Sequence, residues 1–506
     1  MELIDLQVAL VIRLVRRDQV ALRLRKPFHE LVDPLHARFD AFGEQRAFRL
    51  GAARFRFGDA DAPPQVAHLH GEFGRGVAEF VLLLRGLDER HARFREPLLR
   101  DEEVAFEDGR IGLRRTVGKG GRFHHPKASA VPPLVSIIVP VYNKAAVTRA
   151  CLESLETSGA ASSGAEIIVA DDASRDETSE LQRSFPRIRL ISNPYNVGFI
   201  RNCNRAASHA EGRYLVFLNN DTIVFSGWLD WLLDTAEGDP GIGAVGSKVL
   251  LPDGKLSEAG LEIAPDGTGY EYGVLDDPDA PRYNYVRNVD CNGGCSLLVR
   301  AELFAAIGGF ADLYAPAYMD DFDLGLAIWK RGYRCVYQPQ SRLVHVNFVS
   351  HGAAQSERLY ARNRPRFTRR WAAELSEQPA IDPEHRFADV ERASRRRHGS
   401  APVLVVDDRG YDHAIRRALL ALRAGGRCVM FAALGGMYAS ARLDLQQHGI
   451  EVLYPYGKKT LEDAIFEASA VAAEAAFWGT ADPSHFRADP RWPAYLGVTN
   501  GALRSA

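Results

Sequence analysis

From residue 134 to residue 218 the sequence switches repeatedly between short, nearly unbroken apolar runs and stretches whose apolar positions recur at helical spacing. The runs lie at 134–140, 166–170, 188–192 and 214–218. Between them, 145–156 sets Val147, Cys151, Leu152 and Leu155 on one side of a helix, and 176–184 and 198–209 predict two more. A strand with one face in water alternates apolar and polar positions; an unbroken apolar run fits a strand covered on both faces. Strands separated by helices in this way predict an α/β fold built on a doubly wound sheet. The pattern restarts after residue 401, with strands at 403–407, 427–432 and 451–454 and helices at 413–424 and 438–447. The first 128 residues read differently. Positions 6–24 form an amphipathic helix, and 47–57, 66–73, 78–84 and 104–113 read as short strands.

These changes divide the chain into an accessory domain at 1–128, helical at first and then β-rich, and an α/β domain at 133–372. A linker or capping helix at 373–400 and a Rossmann-like α/β domain at 401–506 follow. Length supports such a division, since 506 residues exceed one ordinary domain. A formal net charge of −2 argues against a general nucleic-acid binder. Arg395, Arg396 and Arg397 make a short basic patch, read as a solvated inter-domain segment. The six cysteines sit mostly in apolar contexts and read as reduced and buried. Cys291 and Cys295 lack a second Cys/His pair at zinc-site spacing. No basic n-region opens the chain, and no apolar run approaches the roughly 20 residues that span a bilayer, so a cytoplasmic protein is expected. The helix at 6–24 carries Arg13, Arg16 and Arg17. It packs on its own domain or lies peripherally on a membrane surface. The β-rich part reads as a scaffold or as an acceptor-binding module, and the oligomeric state stays open.

In a doubly wound sheet, ligands bind beyond the carboxyl ends of the strands. Pro140-Val141-Tyr142-Asn143 follows the first run, and Asp171-Asp172-Ala173-Ser174-Arg175-Asp176 the second. Asn193-Pro194-Tyr195-Asn196-Val197-Gly198 follows the third, and Asn219-Asn220-Asp221-Thr222 the fourth. One such cluster is explained by helix caps. Four on one edge of a sheet point to a site.

Those stretches resemble the family 2 glycosyltransferases of GT-A fold, inverting and mostly bacterial enzymes, and within them the rhamnosyl- or O-antigen transferase subgroup. The likeness continues in order through Gly308-Gly309-Phe310, Met319-Asp320-Asp321-Phe322-Asp323-Leu324, His345, Ser350-His351-Gly352, Asn363-Arg364 and Arg370-Trp371. It implies a nucleotide-sugar donor, a glycan or lipid-linked glycan acceptor, and a divalent cation, Mn2+ or Mg2+. The leaving nucleoside diphosphate is strongly anionic, and a hard cation on its phosphates stabilises the developing charge. By the resemblance, Asp221 and His345 hold the metal. Pro140, Tyr142, Asp171, Asp172, Asn196, Gly198, Arg201 and Asn219 face the donor. Asp321 is the base that takes the acceptor's proton, with Asp320 beside it. Asp320 stands where the family usually has Glu, and Asp323 orients the loop or caps the following helix. A structural reading stands beside each: Asp171 and Asp172 as turn caps, Arg201 as an ion-pair partner.

Gly241-x-Gly243-x-x-Gly246 fits a dinucleotide fingerprint by letter, but it follows a helical stretch and leads into a strand, so the context fails. The C-terminal segment resembles the N-terminal half of a GT-B glycosyltransferase without its acceptor loop or donor half, so no independent transferase is expected there. The expected function is therefore sugar transfer in surface-polysaccharide or O-antigen synthesis. The alternative is a catalytically inactive GT-A module that binds glycans or nucleotides as a scaffold.

Overall fold

The structure is a computed structural model that describes residues 133–346, 353–382, 386–409, 411–479 and 482–500. The helix at 6–24, the strand candidates at 47–57, 66–73, 78–84 and 104–113, and the Ser350-His351-Gly352 triplet lie outside the described residues.

Every residue of β1 (Val135–Val141) and of β4 (Tyr214–Leu218) is buried, as suits central strands covered on both faces. β1 pairs in parallel with β4 on one side and with β2 (Glu166–Asp171) on the other, and β3 (Ile188–Ser192) pairs with β2. The crossovers are α1 (Ala145–Thr157), α2 (Leu181–Ser184), which a 3-10 turn precedes, and α3 (Phe199–Ala207). α1 buries Val147, Cys151, Leu152 and Leu155, the stripe its spacing predicts.

Past β4 the sheet becomes mixed. β5 (Thr222–Val224) leads to α4 (Trp228–Gly238), which covers β6 (Ile242–Leu250) and β12 (Arg334–His345). β11 (Ser296–Arg300) runs antiparallel between β4 and β6, and β12 lies parallel to β6. β7 (Leu256–Glu258) pairs with β6, and β10 (Arg287–Val289) closes the edge beside β12. β8 (Leu261–Ile263) and β9 (Gly269–Glu271) form a separate two-stranded ribbon. Between β11 and β12 come α5 (Ala301–Ile307) and α6 (Asp320–Lys330). Gly243 and Gly246 lie inside β6. A Cβ on Gly243 would sit 2.7 Å from Leu303 and 2.8 Å from Ile328, and one on Gly246 would overlap Asn292. These glycines serve close packing on a strand, not a phosphate loop.

α7 (Ala353–Arg370), α8 (Ala372–Ser376) and α9 (Arg386–His398) lead to the second sheet. There β13 (Ser400–Asp407), β14 (Arg427–Ala433), β15 (Glu451–Val452), β16 (Glu474–Trp478) and β17 (Val498–Asn500) run all parallel in the order β15-β14-β13-β16-β17. α10 (His413–Ala424), α11 (Ala439–Gln447), α12 (Leu461–Ser469) and α13 (Pro483–Ala488) connect them, a Rossmann-like arrangement.

The reading of Arg395–Arg397 as a solvated segment is corrected for Arg395 and Arg397, while Arg396 is exposed. α9 packs against both β10 and β13. Arg395 is buried between Glu391 and Glu451, each 2.8 Å away, and Arg397 pairs with Asp290 and lies over the Trp329 ring. All six cysteines are buried and free. Among the described residues no helix is long and apolar enough to cross a membrane.

Candidate active site

The loops that follow β1 and β2 are laced together. Asn143 N–H donates to Ser174 Oγ (2.7 Å), Arg175 N–H to Asn143 Oδ1 (2.8 Å), and Ala145 N–H, the first of α1, to Asp176 Oδ2 (2.9 Å). Pro140 is buried within β1, and Tyr142 beyond it is exposed. Asp171 is buried and accepts from Ser174 N–H (2.9 Å), an Asx turn. Asp172 is also buried. It accepts from Asn193 Nδ2, Val197 N–H and Gly198 N–H, each at 2.8 Å. Its carboxylate thus shapes the 193–198 loop from inside, while Asn196 on that loop is exposed.

Gly198 has φ +87°, and a Cβ there would lie 2.5 Å from Pro316 Cβ. Gly198→Ala combines a left-handed backbone with a clash and is expected to cost about 1–3 kcal/mol. Denaturant unfolding reads this, and an unchanged midpoint would contradict it. Arg201 pairs with Asp312 (2.5 and 2.9 Å), and both are more than half exposed. The structure therefore places it in a surface ion pair.

The second cluster is built by strand pairing. β5 and the end of β12 are antiparallel with His345 opposite Thr222, and Val346 N–H donates to Asp221 O (3.0 Å). His345 Nε2 is thereby held 3.0 Å from Asp221 Oδ1 and 3.5 Å from Asn219 Nδ2. Burial alone would raise the Asp221 pKa, but the charge and hydrogen bond of His345 outweigh it and hold the carboxyl below its usual range. Burial would lower His345, and Asp221 more than reverses that. Among the described residues no three His, Cys, Asp or Glu groups are arranged to hold a metal on their own. A carboxylate oxygen and an imidazole nitrogen that converge do fit a cation completing its shell with phosphate oxygens and water.

The third cluster opens α6. Asp320, Asp321 and Asp323 lie in its first turn, where the helix dipole favours negative charge. The approach is pinned by Asn363, whose Nδ2 lies 2.7, 2.9 and 3.0 Å from the carbonyls of Tyr314, Ala317 and Tyr318. Asp323 is buried and binds Tyr314 OH (2.9 Å), Trp371 Nε1 (2.7 Å) and Arg370 Nε (3.1 Å), tying α6 to the end of α7. Asp321 accepts from Phe322 N–H (2.9 Å) and Gly294 N–H (3.3 Å). Burial raises both Asp320 and Asp321. The charge of Asp321 pushes Asp320 further, to about 8, and the two N–H bonds hold Asp321 to about 6. This pair exchanges protons near neutrality.

β11 joins the second and third clusters. Asn219 N–H donates to Cys295 O (3.0 Å), and the neighbouring Gly294 N–H reaches Asp321. One step further back, Gly293 N–H donates to Glu258 Oε1 (2.8 Å). Glu258 is buried within electrostatic range of both Asp321 and His345. Sequence reading missed it, because one glutamate between polar neighbours carries no signal until β7 folds under the Gly293-Gly294 turn. Burial raises its pKa to about 8. A carboxyl raised in the fold loses stability as pH climbs from the unfolded value toward the folded one. Glu258→Gln should therefore gain on the parent chain between about pH 4.3 and pH 8, by up to about 1.4 kcal/mol per pH unit. Urea unfolding at pH 5 and pH 8 checks this, and a constant difference would refute it.

A parallel half with polar residues at its strand tips, joined through an antiparallel strand to a half that carries the acid-led helix, is the glycosyltransferase A fold. Residues 136–290 match the family model described as glycosyl transferase family 2, so the chain carries a glycosyltransferase domain of that family. Relatives include the O-antigen biosynthesis protein RfbC of Myxococcus xanthus, 32% identical over 44% of this chain and 18% of the relative. An uncharacterized protein of Sinorhizobium fredii is 27% identical over 50% of this chain and 29% of its own length. N-acetylglucosaminyl-diphospho-decaprenol L-rhamnosyltransferase of Mycobacterium tuberculosis is 28% identical over 39% of this chain and 72% of its own. The chain thus spans under a third of the first two. Among solved structures, GalNAc-T7 with UDP, GalNAc and Mn2+ aligns with a TM-score of 0.41 at 16% identity, covering 53% of this chain and 55% of that one.

Proposed function

We propose that residues 133–372 act as an inverting, metal-dependent glycosyltransferase that moves a sugar from a nucleotide-sugar to a glycan or lipid-linked glycan. The observation that carries this is the continuity from Asp221/His345 through Asn219, Cys295 and Gly294 to Asp321. A metal-binding pair and a proton-accepting pair thus adjoin on one sheet edge. Asp221 and His345 would hold a divalent cation, which when bound offsets the charge of the diphosphate. Asp321 takes the proton of the acceptor hydroxyl as that oxygen attacks the anomeric carbon, and the bond to the diphosphate breaks on the opposite side, inverting the centre. Asp171 and Tyr142, beyond the neighbouring strand tips, are the donor-side contacts. Asp172 shapes the loop behind them.

The names of the Myxococcus and Mycobacterium relatives support surface-polysaccharide synthesis as the setting and a deoxyhexose such as rhamnose as the sugar. Nucleotide-sugars are made in the cytoplasm, so the reaction is placed there or at the inner membrane face. Residues 401–506 serve as a docked structural module without transfer of their own.

The test is release of nucleoside diphosphate from a panel of nucleotide-sugars with Mn2+ or Mg2+ and lipid-linked acceptors. One donor should turn over, and chelation or Asp221→Ala should lower the rate at least about a hundredfold. Nucleotide binding without turnover of any donor would favour the inactive scaffold instead.

A further inference from the structure

The two α/β sheets share an open cleft of about 500 Å3 that takes no part in the chemistry above. Lys248, Asn284 and Arg342 line it from the first sheet's side, and Arg442, Gln446 and Tyr454 from the second's. Its walls are tied across the junction. Val286 N–H donates to Gln446 O (2.9 Å), Gln338 Nε2 to Gln447 Oε1 (2.8 Å), and Tyr454 OH to Asp279 O (2.9 Å).

The charge lining the cleft is unbalanced. It holds three cations, Lys248, Arg342 and Arg442, against one carboxylate, Asp279. Lys248 is only 3% exposed, and its Nζ donates to the Pro278 carbonyl (2.8 Å) and Asn284 Oδ1 (2.5 Å), both neutral oxygens. A buried ammonium held only by neutral acceptors is costly. Burial and the neighbouring Arg342 push its pKa down to about 7. Arg342 stands directly opposite Lys248 in the β6–β12 register, and like charges opposite one another in a sheet repel. From the other wall, Arg442 lies flat over the Tyr454 ring, 4.4 Å from its centre. Asp279 and Asp277 offset only part of this, and an anion between the three groups relieves the rest of the repulsion.

The rest of the lining narrows the ligand. The volume falls within the roughly 300–1,000 Å3 of small-molecule sites, but the walls are polar where such sites are usually apolar. This excludes a lipid tail. Gln340 and Gln446 offer planar amides, which donate and accept at once and suit vicinal hydroxyls, while the Asn284 amide is engaged by Lys248 and the Pro278 and Ala280 carbonyls. We propose that this cleft binds a phosphorylated sugar, its phosphate among Lys248, Arg342 and Arg442 and its hydroxyls against the amides. The phosphate part rests on the cleft alone, and the sugar part also rests on the glycosyltransferase reading. Arg342 precedes His345 by three residues on β12, roughly 10 Å along a strand, and the two side chains alternate to opposite faces. The site is therefore separate from the donor centre. Because Arg442, Gln446 and Tyr454 come from the second sheet's module, it exists only while that module is docked, which gives residues 401–506 a role in ligand capture.

The test is calorimetric titration of the full chain in EDTA, which suppresses metal-dependent donor-site binding. N-acetylglucosamine 1-phosphate and glucose 1-phosphate are the probes, with inorganic phosphate as the control. The expected result is saturable binding of a sugar phosphate at least about tenfold tighter than inorganic phosphate. Arg442→Ala and Lys248→Met should each weaken it at least about tenfold. Asp221→Ala should bind as the parent does, while Arg442→Ala keeps the parent's rate of nucleotide release from the donor. Arg442 is partly exposed, so its variant tests the site even if Lys248→Met misfolds. No binding, binding that Arg442→Ala leaves unchanged, or equal binding of inorganic phosphate (an adventitious ion only) each overturns the proposal. If Asp221→Ala keeps sugar-phosphate binding and the parent turns over no donor, the cleft stands and the catalytic reading falls.

Discussion

Asp321→Asn should lower sugar transfer by about 10²–10⁴-fold, the usual contribution of a positioned general base, with nucleotide binding and unfolding midpoint close to the parent's. The amide keeps one oxygen for the Phe322 N–H (2.9 Å) and gives up only the longer bond from Gly294 N–H (3.3 Å), so most of the loop geometry survives while proton acceptance is lost. The pH profile follows from the same pair. Burial raises both carboxyls, Asp321 to about 6 and Asp320 to about 8. A base works only when ionised, so kcat/KM should rise with pH around 6, as Asp321 ionises, and level off above that. Asp320→Asn should behave differently. Asp320, raised to about 8, is still protonated where Asp321 ionises, so its replacement should leave the rise in place and keep much of the plateau rate. Initial rates of diphosphate release at pH 5 to 9 for the three proteins decide this. A plateau within tenfold of the parent's in Asp321→Asn would place the base elsewhere.

How legible the site was depends on where each residue's partner lies. The β1 to β4 half was readable because strand ends, loops and helices there follow one another along the chain, and unbroken apolar runs carry their own signal. The mixed half was not. β11 inserts antiparallel between β4 and β6, and no local pattern says which strands become neighbours. Asp172 shows the limit for single residues. Its position at a strand end is plain from sequence, but three hydrogen bonds from the following loop turn its carboxylate inward. Arg201 is similar, since its partner Asp312 stands more than a hundred residues away. Arg395 was misread for the same reason: three adjacent arginines look solvated until α9 is placed between two sheets. By contrast, Asn363 and Trp371 were visible only as parts of a family pattern, and the structure supplies their physics. Both hold the approach to Asp320 and Asp321, through the 314–318 carbonyls and through Asp323.

The largest effect on stability is expected at that buried arginine. Arg395 is 3% exposed, with Glu391 and Glu451 each at 2.8 Å, and Arg282 extends the network to Glu391 (3.5 Å) and Glu467 (2.9 Å). Such a network adds little over well-packed apolar groups, yet removing one partner strands the others. Arg395→Met takes the ion-pair partner from Glu451, leaves Glu391 with the longer contact to Arg282, and should cost about 3–5 kcal/mol. The sign of the pH response should reverse as well. In the parent, burial raises Glu391, but Arg395 and Arg282 outweigh it and hold the carboxyl low. Its contribution is present above the unfolded value of about 4.3 and fades as pH falls. Without Arg395 burial favours the protonated form of Glu391, so the variant should lose stability as pH rises from 5 to 8. Adding Glu451→Gln to Arg395→Met should recover part of the loss, because one stranded charge is gone. Urea unfolding of the three proteins at both pH values, with amide exchange in α9 and β15 as a local readout, tests the coupling. An Arg395→Met protein with the parent's midpoint and the parent's pH response would mean that apolar contacts alone hold the second module in place, and the ion network would be a passenger of that packing.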